Sequence, residues 1–245
     1  MNVYTAEFVG TTLLVLLGDG VVANVLLART KGHGGGWIVI TAGWAFAVFV
    51  AVGCVGQTSG AHLNPAVSIG LAAAEKFDWA LVPGYIAAQL AGAFAGACFV
   101  FVCYRRHFDD TEDPDLKLAV FCTAPNIRSL PRNFVCEVMA TFVLVLAVLS
   151  ATEPSIELAG LNQSFSRVTV GMGSLGAVHV GLVVFAIGLS LGGTTGYAIN
   201  PARDVAPRFA HAILPIRGKR DSDWSYAAIP ILGPIVGALV AVFVA

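Results

Sequence analysis

Two short motifs carry the chemistry in this sequence, Asn64-Pro65-Ala66 and Asn200-Pro201-Ala202. Asn caps a helix N-terminus, and Pro, lacking an N–H, suits the first helical position. Each motif opens an apolar segment too short to cross a bilayer: Pro65–Ala74 has 10 residues and Pro201–Ala212 has 12. As helices they would span on the order of 15–18 Å, about half of the hydrocarbon layer. One such motif is an ordinary cap. Two, in register in the two halves of the chain, predict half-helices whose N-termini meet at mid-membrane. Each terminus would bring about half a positive charge, and each Asn amide adds N–H donors. A guest there must turn acceptor oxygens inward. Water or an alcohol can do so, a cation is repelled, and a water held as a double acceptor cannot relay a proton.

The residues before each Asn, Gly60, Ala61, His62 and Leu63, and Gly196, Tyr197, Ala198 and Ile199, are predicted to be extended. Their carbonyls would line the passage as an acceptor track, since irregular backbone at membrane depth survives only against protein or a wet cavity. Gly60 and Gly196 permit unusual dihedrals. Arg203 falls at membrane depth, where a cation is costly and marks a functional position unless it snorkels to the interface. Asp204 is expected to hold loop backbone or pair with a nearby base. Glu7 and Glu137 occupy equivalent places with no nucleophile or metal ligand beside them, so hydrogen bonds from irregular backbone are the expected role, not catalysis. Asp19 has no counterpart, because Leu149 stands at the equivalent place. A pore mouth and a subunit contact are both open to it. His62 should touch the passage, and His179 reads as packed or interfacial.

These residues need a lipid-embedded scaffold. Of 245 residues, 57% are hydrophobic and 12% charged, against about 25% charged in soluble domains. The mean hydropathy is +0.79. Disorder is excluded, and a net charge of −1 offers no field for nucleic acid. The expected fold is an all-α membrane protein with six transmembrane helices and two re-entrant half-helices. The spans are predicted at Val3–Ala28, Trp37–Val55, Trp79–Cys103, Phe134–Ala151, Gly176–Leu191 and Trp224–Ala245. Polar connections fall at Tyr104–Asn133 and Thr152–Leu175. The start lacks the basic region of a cleaved leader. The five cysteines have no metal or disulfide spacing and read as packed thiols, so neither metal nor cofactor is expected.

An offset of 136 residues superposes the two Asn-Pro-Ala motifs. An offset of 130 pairs Glu7 and Thr11 with Glu137 and Thr141, and one of 141 pairs Gly92 and Gly96 with Gly233 and Gly237. The chain therefore reads as one channel unit, with repeat one over about 1–103, a connection over about 104–133 and repeat two over about 134–245. Three spans per half is odd, so the second half enters from the opposite side, an inverted repeat.

The two motif loops, Ser59-Gly60-Ala61-His62-Leu63-Asn64-Pro65-Ala66 and Gly196-Tyr197-Ala198-Ile199-Asn200-Pro201-Ala202-Arg203-Asp204, resemble the signature loops of the major intrinsic protein (aquaporin) family across essentially the whole chain. In pores of that type, the positive ends of half-helices are a known barrier to cations and protons. Asp204 directly after Arg203, with Thr123-Ala124-Pro125-Asn126, resembles the glycerol facilitators within it. The resemblance implies a homotetramer in the cell membrane with a pore in each subunit, passing glycerol, similar small neutral solutes and water. It implies a constriction at Trp44, Gly188, Tyr197 and Arg203, with Gly188 leaving volume for a solute larger than water. Facilitators often carry Phe where this chain has Tyr197. A strict water channel is the nearest alternative, and an alternating-access transporter a more distant one. One expectation conflicts: the family orientation puts every Lys and Arg except Lys76 and Arg167 on the outside, the reverse of the positive-inside rule.

Overall fold

A computed structural model describes residues 1–152, 155–157 and 167–245. The first half forms α1 (Val3–Leu26), α2 (Trp37–Ser59), the short α3 (Pro65–Ala73) and α4 (Val82–Asp110). A one-and-a-half-turn helix, α5 (Pro114–Ala119), lies in the connection. The second half repeats the order with α6 (Leu130–Leu149), α7 (Gly176–Ser190), the short α8 (Pro201–Ile213) and α9 (Ala228–Val244). Among the described residues, five helices are long and apolar enough to cross a membrane, α7 being counted from its 3-10 entry at Gly173. The sixth expected span, α9, is shorter at 17 residues because 224–227 form turns instead of helix. About 26 Å of helix still reaches the lower end of what a bilayer requires.

The all-α expectation holds, with one addition. Ser155–Glu157 (β1) and Arg167–Thr169 (β2) pair antiparallel inside the second polar connection, much of which lies outside the described residues. The thiols differ from expectation: Cys54 and Cys103 are exposed on outer helix faces, whereas Cys122, in the polar connection, is buried.

Packing follows the glycines. α1 lies against α4 and α2, and α6 against α9. A Cβ added at Gly92 would sit 2.3 Å from the Phe8 carbonyl oxygen, and one at Gly237 2.4 Å from that of Val138. Only glycine lets these helix backbones approach so closely. Each half-helix docks on the third span of the other half, α3 on α9 and α8 on α4, and α2 meets α7 across the middle. This interleaving brings the two motifs together.

Candidate functional site

Asn64 and Asn200 cap α3 and α8 and meet. The Asn64 side-chain oxygen accepts from the Ala66 N–H at 2.9 Å, and that of Asn200 from Ala202 and Arg203 at 3.0 and 3.2 Å. These bonds fix each amide so that its NH2 group points across. The Asn64 Nδ2 donates to the Ile199 carbonyl and the Asn200 Nδ2 to the Leu63 carbonyl, both at 2.8 Å. One N–H per amide is left unengaged by these bonds, and both residues line a cavity.

The loops before the asparagines are not extended, contrary to the sequence reading. Gly60, Ala61 and Leu63 have φ of 79°, 49° and 51°, and Gly196, Tyr197 and Ile199 have 86°, 39° and 44°. Such left-handed conformations cost non-glycine residues about 1–2 kcal/mol each. A buried carboxylate holds each loop in place. Glu7 accepts from the Ser59 hydroxyl (2.7 Å), the His62 and Leu63 N–H groups (3.0 and 2.7 Å) and the Gln89 amide (2.8 Å). Glu137 accepts from the Thr195 hydroxyl (2.6 Å) and the Ala198 and Ile199 N–H groups (3.0 and 2.9 Å). With these donors drawn backward and the Leu63 and Ile199 carbonyls taken by the two Asn amides, residues 60–63 and 197–199 line the cavity. Gly196 does not line it. It packs against Thr123 and supplies the turn.

The cavity holds about 140 Å³, against the roughly 10–15 Å³ that one water needs. Its remaining wall is apolar, with Leu14, Val48, Val67, Leu144 and Val184 among its residues. One face is therefore a polar track and the other is oily.

At one point the wall is asymmetric. The 136-residue offset pairs Trp44 with Val180 and Arg203 with Val67, so a bulky, charged feature exists in one half only. The Arg203 guanidinium lies 4.2 Å from the Trp44 ring centroid. Tyr197 stands edge-on to Trp37 at 5.7 Å, and Trp37 Nε1 donates to the Gly188 carbonyl at 2.9 Å. Trp44, Tyr197 and Arg203 line the passage, but Gly188 does not. A Cβ on Gly188 would lie 3.0 Å from Tyr197 Cζ and 3.1 Å from its hydroxyl. The volume expected for a solute is taken by the tip of the Tyr197 ring, and Gly188 is the residue that makes room for it.

Behind this point Asp204 performs both functions left open to it. One oxygen accepts from the Thr123 N–H and hydroxyl (2.8 and 2.7 Å), and the other from Arg208 Nε and Nη2 (2.9 and 2.8 Å). Arg208, fully buried, also donates to the carbonyls of Thr123, Ser222 and Asp223. Sequence reasoning missed Arg208, Gln89 and Trp37. Of these, only Arg208 carried a usable signal, four residues after Asp204 on one helix face. His179 is exposed. Asp19 is fully buried inside the chain and so makes neither a pore mouth nor a subunit contact.

The whole chain, residues 1–245, matches the model of a family described as major intrinsic protein. It is 55% identical over 239 residues to a "Probable glycerol uptake facilitator protein" of Thermotoga maritima, covering 98% of this chain and 96% of that one. It is 48% identical over 244 residues to a "Glycerol uptake facilitator protein" of Streptococcus pneumoniae, covering 100% and 98%. The X-ray structure of the aquaglyceroporin from Plasmodium falciparum superposes with a TM-score of 0.81 at 33% identity, covering 98% and 93%. Opposed half-helices inside an apolar helical shell, and a match that runs from the first residue to the last, have one common explanation: this chain is an integral membrane protein and belongs to the major intrinsic protein family.

Proposed function

We propose that the chain is a passive channel for glycerol and similar small uncharged solutes, together with water, acting in the cell membrane as a homotetramer and not as an enzyme. The observation that carries this reading is the one-sided constriction. Trp44 and Tyr197 offer an apolar corner to a carbon backbone, while Arg203 and the loop carbonyls face its hydroxyls. A polyol there loses hydration on its carbon side, where little is lost, and exchanges it for hydrogen bonds on the other. The names of the relatives support the same solute class. The Asn64–Asn200 pair, with half-helix N-termini behind it, disfavours cations and fixes water orientation.

The Tyr197 hydroxyl over Gly188 favours a second, narrower reading, a strict water channel. One assay separates the two. Purified protein in proteoliposomes is exposed to inward-directed glycerol, urea and sorbitol gradients and swelling is followed by light scattering. Fast glycerol entry without proton leak is expected. Glycerol entry equal to that of empty vesicles, with water flow raised, would replace the facilitator reading by the water-channel one.

A further inference from the structure

Asp19 is an anomaly that the channel reading leaves unused. It sits in an apolar span, is fully buried, and neither carboxylate oxygen has a hydrogen-bond partner among the described residues. Burying a carboxylate in this way is costly unless an opposite charge is close. The nearby cation is Arg203, whose Nη1 lies 3.8 Å from Asp19 Oδ1, an ion-pair contact without a hydrogen bond. That same Nη1 has no hydrogen-bond partner among the described residues. Asp204, the carboxylate adjacent in sequence, is already engaged by Thr123 and Arg208 and is not free to neutralise Arg203. The preceding residue, Gly18, completes the arrangement. A Cβ there would lie 2.3 Å from the Trp44 ring, so α1 presents a flat seat for that ring and a carboxylate for the guanidinium stacked on it. At the equivalent place in the other half stands Leu149, which has no charge to offer.

We propose that Asp19 is a positioning and specificity-determining residue: it draws the Arg203 guanidinium back onto the Trp44 face and offsets its charge, so that the constriction offers N–H donors to neutral hydroxylated solutes without collecting small anions. An uncompensated guanidinium at a low-dielectric neck would focus a positive field into the passage and concentrate anions there. With the carboxylate behind it, its N–H groups remain donors while the net field largely cancels. Asp19 touches no solute and acts through Arg203.

The proposal rests on the channel reading, and its test separates the two. Proteoliposomes carrying wild type, Asp19→Asn, Arg203→Gln and the double variant are compared for glycerol entry by swelling and for bromide entry by quenching of an entrapped halide-sensitive dye. Asp19→Asn is expected to raise the bromide-to-glycerol permeability ratio at least on the order of tenfold, the lower limit set by water-like screening of an unpaired charge. The same change made in the Arg203→Gln background should leave the ratio within about twofold, because the charge it unmasks is absent. A ratio unchanged by Asp19→Asn, or glycerol and bromide falling in proportion, overturns the assignment. Should Asp19→Asn fail to assemble, the double variant must assemble, having removed the stranded cation; failure of both also overturns it. Wild-type vesicles without solute flux would instead reject the channel reading itself.

Discussion

Replacing Glu137 by Gln tests what holds the second loop in its left-handed path. The side chain is 1% exposed and accepts three hydrogen bonds, two on Oε1 and one on Oε2. A Gln keeps the first two by turning its carbonyl toward Thr195 and Ala198. Its NH2 group then faces the Ile199 N–H, donor against donor. One charge-assisted bond is lost, about 1.5–3 kcal/mol, and the others weaken as the acceptor becomes neutral. Relief from burying a charge returns part of this, so the net cost is about 2–4 kcal/mol. The left-handed residues Tyr197 and Ile199 store a comparable strain, about 2–4 kcal/mol together. The loop is therefore expected to relax while the helices stay packed. The folded-to-unfolded ratio should fall by at most about 30- to 700-fold, since the relaxing loop returns part of its strain. The assay is tryptophan fluorescence during titration of mixed micelles with denaturing detergent, alongside glycerol swelling, which should slow several-fold. Stability within about 0.5 kcal/mol of wild type and unchanged swelling would refute the argument that the carboxylate holds the loop. Glu7→Gln should cost a similar amount, because the Gln89 side-chain oxygen, buried without a donor among the described residues, can turn to accept the new amide.

Other outcomes follow from the glycines. Gly188→Ala puts a methyl 2.8 Å from Thr41 Cγ2 and 3.0 Å from Tyr197 Cζ. Overpacking of this kind costs about 1–3 kcal/mol and pushes the ring toward the passage, so glycerol swelling should drop more than water flow. An unchanged glycerol-to-water ratio would place the ring elsewhere. Gly237→Ala meets the Val138 carbonyl at 2.4 Å, backbone that cannot rotate away, and should destabilise by about 2 kcal/mol or more in the same detergent titration. Gly20→Ala is the control, with nothing within 4 Å of the added methyl. Equal losses for the two would show that α6–α9 contact does not depend on the small residue.

The half-helices and the paired glutamates were legible because the two halves share local sequence, and a repeated short apolar segment has few structural solutions. Glu7 and Glu137 could be given a role by eliminating others, since no nucleophile or ligand stood near them. The left-handed loop dihedrals were not legible. Ala61, Leu63, Tyr197 and Ile199 have no intrinsic preference for positive φ, and contacts from helices 50 or more residues away impose it. Gly188 was read as open volume because spacing places a residue at a constriction without showing what leans over it. Pairing of the cations was not legible either. Many of them have partners within the chain: Arg29 with Asp110, Arg128 with Asp223, Arg220 with Asp115, Arg208 with Asp204, and Lys219 with three carbonyls at the end of α8. A count along the sequence does not show which cations fasten loops.

The reciprocal asparagine bonds have a consequence for biogenesis. While the ribosome is still making the second half, the Asn64 amide has no Ile199 carbonyl to donate to, and the face of α3 that docks on α9 is bare. The first re-entrant segment, which has only α4 of its own half to pack on, is expected to reach its final seat once Ala228–Val244 emerges. A chain truncated before that point should remain protease-accessible around His62 instead of forming half a pore.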